Sequence, residues 1–144
     1  MGMKFDNKIT CIDRDGNPNQ FKYGLEKSEE GGMVEWTFRV MPFDSAVDDW
    51  FEFVVTIIST TVGKVTMMTN NNMAEYKGKG IPEKMIQEAA HVLKLTIISS
   101  TNKSVKKLPP SEFRTIAATK VWERLREKGQ ASYDVENDIY TFIN

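Results

Sequence analysis

Tyr76-Lys77-Gly78-Lys79-Gly80-Ile81-Pro82-Glu83 sets two glycines and two lysines in a short loop that comes after strand-like sequence and opens into an amphipathic helix. That pattern fits a phosphate cradle. The first N–H groups of a helix lack intrahelical partners and carry partial positive charge, so phosphate oxygens can settle there when glycine lets the backbone come close. Lysine adds mobile charge. Because short glycine loops are common, an ordinary exposed loop and helix start is the alternative reading of the same residues.

Four carboxylates, Asp44, Asp48, Asp49 and Glu52, gather around a strand start. Carboxylates so placed could take a proton from an amine nucleophile, and they could equally be solvated charges at a strand end. Glu52 is the best single candidate for a general base, because it projects from a strand face that is otherwise apolar. Lys103, Lys106 and Lys107 form a basic loop able to reach an anion or simply to face water. His91 reads as a helix surface residue beside Gln87 and Glu88. Asp13, Asp15 and Asn17 begin like a calcium loop, but Pro18 stands where glycine is required and Gly24 where the bidentate glutamate belongs, so no metal is expected.

The elements around these groups can be read from the spacing of apolar residues. Lys8 to Asp13 and Gln20 to Glu26 alternate on either side of Asp15-Gly16-Asn17-Pro18, the chemistry of a hairpin turn. Met33 to Met41 sends Val34, Trp36, Phe38 and Val40 to one face. Trp50 to Ser59 is apolar on both faces and reads as an interior strand, and Lys64 to Thr69 comes after a Val62-Gly63 turn. The period then changes. Pro82 to Lys94 has helical spacing, with Met85, Ile86, Ala89, Ala90 and Leu93 inward, and proline suits a first helical position. A strand, Leu95 to Ser100, comes next. Ser111 is the expected N-cap of a second helix to Lys128, with Phe113, Ile116, Ala117, Val121 and Leu125 as its inward stripe and Gly129 as its stop. Two closing strands, Gln130 to Val135 and Asp138 to Ile143, complete the chain. The order predicts an α/β (α+β) fold of one domain, residues 1–144, with a mixed, mainly antiparallel central sheet and two main helices.

Composition sets outer limits. Lys+Arg 19 against Asp+Glu 20 leaves no bulk charge to draw the chain to nucleic acid or a membrane, so neither partner is expected. A single cysteine, Cys11, leaves no disulfide framework and fits a reducing compartment. No apolar run nears the roughly 20 residues that span a bilayer, and Lys4, Asp6 and Lys8 interrupt any signal-like segment at the start. A cytoplasmic protein is the expectation. The strand Met33 to Met41 and the closing hairpin are each candidate sheet edges through which a homodimer could form.

The loop and the segment after it carry a family resemblance. Glu75-Tyr76-Lys77-Gly78-Lys79-Gly80-Ile81 resembles the acetyl-CoA pyrophosphate loop of the GNAT superfamily of N-acetyltransferases, with Lys77 on the Arg/Gln position, Gly80 on the glycine and Pro82 on the final Gly/Ala. Ala117 to Leu125, with Gly129-Gln130-Ala131 after it, is similar to the family's second major helix and its next strand. The similarity covers Asn72 to Ile143. It implies an acyl-CoA N-acyltransferase-like fold, acetyl-CoA as cosubstrate, and Lys77, Gly78, Lys79, Gly80 and Ile81 as its binding residues. It further implies direct transfer to a primary amine of a small molecule or peptide; for that transfer Glu52 is the candidate general base read from its strand, and Tyr133 or Tyr140 on the closing strands could substitute for the family's acid.

Several positions depart from the pattern. Pro82 has no N–H, Asn70-Asn71-Asn72 replaces the apolar strand before the loop, and Trp122 and Thr115 hold the tyrosine and asparagine positions. Turn-rich strand sequence from Asp13 to Gly32 stands where family members place two short helices. A GNAT-like binding module without acetyl transfer is therefore the alternative reading.

Overall fold

Alternating side chains pair first with their chain neighbours, and the first five strands do so as a meander. The computed structural model describes residues 3–44, 49–71, 73–103 and 114–143. Strands β1 (Asn7–Ile12), β2 (Pro18–Glu30), β3 (Met33–Pro42), β4 (Phe51–Ile57) and β5 (Val62–Thr69) are each antiparallel to the next. Asp13 fixes the first turn. Its Oδ1 accepts from the N–H groups of Asp15 and Asn17 at 3.0 and 2.8 Å, and Gly16 takes the positive φ of 83° that the turn needs. The Asn17 N–H, first among these donors, holds the Asp13 carboxyl below its usual range.

A 3-10 turn at Ala74–Tyr76 leads to helix α1 (Ile81–Leu93), which returns the chain to β6 (Thr96–Ile98), parallel to β5. Helix α2 (Ile116–Glu127) comes next, and the hairpin of β7 (Ala131–Asp134) and β8 (Ile139–Phe142) closes the fold. All eight strands form one mixed sheet in the order β1-β2-β3-β4-β5-β6-β8-β7. Helix α1 packs against β1, β4, β6 and β8, strands drawn from both halves of the sheet, so the sheet curls around it. Ile81, Met85, Ile86 and Ala89 of α1 are fully buried against Phe38, Val40, Phe53, Val55 and Ile97. This helix face and the inner sheet face make the core.

The α+β class, the mixed sheet and the two helices agree with the sequence. Three details differ. β3 lies between β2 and β4, so the Met33 to Met41 strand is no edge; its apolar face is satisfied inside the sheet, and β1 and β7 are the terminal strands. Ser111 and Phe113 lie outside the described residues. The cap observed is Thr115, whose Oγ1 accepts from the Ala118 N–H at 3.0 Å. With that start, Ile116 is 79% exposed and Ala117 is exposed as well, and the buried stripe is Val121, Trp122 and Leu125. Capping at Thr115 places the first turn of the helix toward solvent.

Candidate functional site

Two hollows are lined by helix α2, one together with α1 and the other together with β5. The first is framed by the glycine-lysine loop. Tyr76, buried in the turn before it, donates its hydroxyl to the Asp49 carbonyl at 2.9 Å and so ties the loop to the start of β4. Burial pushes the Tyr76 phenol up to about 12, which leaves it a neutral donor. Gly78 and Gly80 both take left-handed backbone, with φ of 68° and 78°. The tip of the β1–β2 hairpin lies against them. The Arg14 N–H donates to the Gly78 carbonyl at 3.2 Å, and a Cβ on Gly80 would meet the Ile12 carbonyl oxygen at 2.2 Å. Neither contact is visible from local sequence, because the partners come from opposite ends of the meander.

A cleft of about 550 Å³ opens here. Arg14, Lys77, Lys84, Lys120, Arg124 and Lys128 line it, against Asp13 and Glu83. Arg124 Nε donates to Glu83 Oε2, and Glu83 Oε1 is buried with no protein partner among the described residues. Cys11, Tyr76 and Phe142 contribute apolar floor. Burial pushes the Cys11 thiol up to about 12, so it packs as a small neutral group and not as a thiolate.

The second hollow, about 420 Å³, lies where β5 and β6 part. The two strands pair only at Val62↔Thr96, Gly63↔Ile97 and Lys64↔Ile98. On the other side of β5 the register against β4 shifts between Val54 and Val55, which leaves Thr66 as a bulged residue. Beyond the last pair the Ser100 hydroxyl crosses the gap and donates to the Val65 carbonyl at 2.9 Å. Val65, Met67, Met68, Ala118 and Trp122 supply apolar wall, with Thr66, Thr69, Ser100, Arg114 and Thr115 as the polar lining.

Arg114 holds this wall in place. Its Nη1 donates to the carbonyls of Ser100 and Asp138 at 2.8 and 3.1 Å, and Nη2 forms an ion pair of 2.7 Å with Asp138 Oδ1. Burial alone would raise the Asp138 carboxyl. Arg114, the Asn102 N–H and the Tyr133 hydroxyl outweigh it and hold the group at about 2. A carboxyl whose pKa is lower folded than unfolded stabilises the fold above its unfolded value near 4 and loses that contribution as pH falls toward 2. The expected loss is roughly 2 kcal/mol. Urea midpoints measured between about pH 6 and pH 2.5 check it: Asp138→Asn should show the flatter profile, and identical profiles for the two proteins would refute the assignment.

The sequence-derived site residues divide between these places. Lys77, Gly78 and Gly80 line the basic cleft; Lys79 sits in the loop beside them, and Ile81 turns its side chain into the core and offers only backbone. Glu52 and Tyr140 line neither hollow. Glu52 Oε1 accepts from Arg39 Nε at 3.1 Å and from Trp50 Nε1 at 3.2 Å, and the Arg39 guanidinium lies 4.5 Å from the Trp50 ring centroid. Tyr140 is buried, donates its hydroxyl to Glu123 and packs its ring between Trp122 and Tyr133; burial first, then Glu123, pushes its phenol to about 12. β5 and β6 separate the strands that carry the two residues. His91 is exposed, as expected. Asp48, Asn72, Lys106 and Lys107 lie outside the described residues. Arg14, Arg114, Lys120 and Lys128 carry no mark in the sequence, since no local spacing sets them apart. No family model matches the chain, and neither a curated protein nor a solved structure matches it.

Proposed function

We propose that the chain is an acetyl-CoA-dependent N-acetyltransferase of the GNAT type, acting on a primary amine of a small molecule or peptide. One observation carries this reading. The β5–α1–β6 crossover pairs its parallel strands over three residues and then opens at a bulge, with an apolar-walled hollow at the opening and a cationic cleft at the loop after β5. The cleft suits the phosphorylated end of acetyl-CoA, and the apolar-walled hollow suits a thin, mostly apolar arm.

Acetyl-CoA, when bound, supplies an activated acetyl thioester. The chain's residues would do the rest. Lys77 and the N–H groups around Gly78 and Gly80 hold the phosphorylated end. Met67, Met68, Ala118 and Trp122 keep water from the arm, and backbone N–H groups of β5 past the bulge are free of β6 to polarise a carbonyl. Positioning then supplies much of the rate, because a neutral amine held against a thioester forms the new C–N bond as the C–S bond breaks, with its proton passing to solvent and the thiolate leaving unassisted. A second reading, a GNAT-like binding module without transfer, draws on the placement of Glu52 and Tyr140: both are held by protein partners and neither faces a hollow.

Thermal unfolding with and without acetyl-CoA tests the ligand. At a hundred times its dissociation constant a ligand adds about 2.7 kcal/mol of stability. No shift at millimolar acetyl-CoA sinks the reading. A shift without thiol release across a panel of primary amines leaves the binding module.

A further inference from the structure

Pro82 removes a backbone donor from the helix start that the cradle would use, and the hairpin tip brings a different donor to the same spot. We infer that Arg14, carried by the β1–β2 turn, is a diphosphate-binding residue of the basic cleft. This rests on the proposed acetyl-CoA reading for the identity of the ligand, and on the geometry of the tip for the residue.

Arg14 is placed by contacts that leave its charge unspent. Its backbone N–H donates to the Gly78 carbonyl, and its side chain runs over the glycine: the position of a Cβ on Gly78 lies 3.2 Å from Arg14 Nε, 3.5 Å from Cδ and 3.6 Å from Cζ. A side chain at position 78 would crowd the guanidinium, so the glycine makes room for it. The turn beneath is rigid, because the Asp13 carboxylate takes both the Asp15 and Asn17 N–H groups and the Asn19 amide, the last at 3.2 Å. Among the described residues no carboxylate forms an ion pair with Arg14, nor with Lys77, Lys84, Lys120 or Lys128 around the same cleft. A cleft with this excess of unpaired cations attracts anions and disfavours cations. Arg14 differs from the lysines in kind. A guanidinium offers planar paired N–H donors that match two phosphate oxygens at once, which a lysine ammonium does not.

Calorimetric titration of the full chain with acetyl-CoA, ADP and S-acetylpantetheine tests this. The first two carry a diphosphate and the third does not. Arg14→Gln is expected to weaken acetyl-CoA and ADP by about tenfold or more while S-acetylpantetheine binds as before, with Arg14→Lys in between. An unchanged melting temperature for Arg14→Gln accompanies that result, since the substitution keeps the backbone contact to Gly78. Equal binding of acetyl-CoA by wild type and Arg14→Gln overturns the inference and leaves the cofactor reading standing. An equal loss for all three ligands also overturns it, by making Arg14 a shape-holding residue. Failure of the wild-type chain to bind acetyl-CoA or ADP overturns both readings together.

Discussion

Arg114→Ala is expected to cost about 3–5 kcal/mol of folding stability, the range for removing one partner of a buried ion pair. The Arg114 side chain is only 6% exposed and that of Asp138 15%. Nε donates to Thr119 Oγ1 at 2.8 Å, Nη1 to two carbonyls and Nη2 to the carboxylate, while the guanidinium sits 4.9 Å from the centroid of the Tyr140 ring. Alanine takes away all of these donors and leaves a buried carboxylate and two carbonyls short of a partner. In a chain of this size the melting temperature falls by roughly 2–4 °C per kcal/mol, so a drop on the order of 10 °C is expected. Asp138→Asn added to Arg114→Ala should recover part of the loss by removing the stranded charge. Arg126 provides the contrast. Its pair with Glu123 has the arginine 48% exposed, and Arg126→Ala should cost under about 1 kcal/mol. Equal effects for the two arginines, read from denaturant midpoints, would contradict the burial described for Arg114.

Gly80→Ala should be nearly as damaging, by about 2–4 kcal/mol, through two separate costs. The residue sits at φ 78°, where an L side chain is strained by about 1–2 kcal/mol. Its new Cβ would also lie 2.2 Å from the Ile12 carbonyl oxygen, on a strand whose register against β2 includes Ile12 itself and therefore yields little. Gly78→Ala incurs the first cost and not the second, because its neighbour is the movable Arg14 side chain. A loss of only about 1–2 kcal/mol is expected there. Equilibrium denaturation of the two variants side by side separates the contributions, and equal stability would show that the loop does not rest on β1. Gly80 is therefore required by a strand from the far end of the meander, whatever ligand the loop meets.

That distinction shows what can and cannot be read in the sequence. The strands up to β5 are legible because their alternation is local, and α1 is legible because its apolar stripe keeps one phase from Ile81 to Ala89. The start of α2 is not, since Ile116 and Ala117 are apolar yet face outward and the true cap, Thr115, competes with other hydroxyls nearby. Lys77, Gly78 and Gly80 stand out by their spacing. Arg14 and Arg114 do not, because what distinguishes them is burial or a partner supplied by tertiary structure, and neither leaves a pattern in neighbouring residues. Glu52 shows the reverse: a lone acid on an apolar strand face looks available, and Arg39 on the adjacent strand holds it.

The short β5–β6 pairing has a mechanical consequence. The five-strand meander is laddered throughout, whereas β6 pairs with β5 at three residues and with β8 at one, Ile98↔Thr141, with the Thr96 N–H to Thr61, the Ser99 N–H to Tyr140 and the Ser100 hydroxyl to Val65 as further links. The sheet thus has a seam. Because few ladder bonds hold β6 on either side, spreading the closing hairpin away from β5 leaves the pairing of β1 to β5 untouched, and the hollow beside Trp122 can widen there while the meander keeps its register.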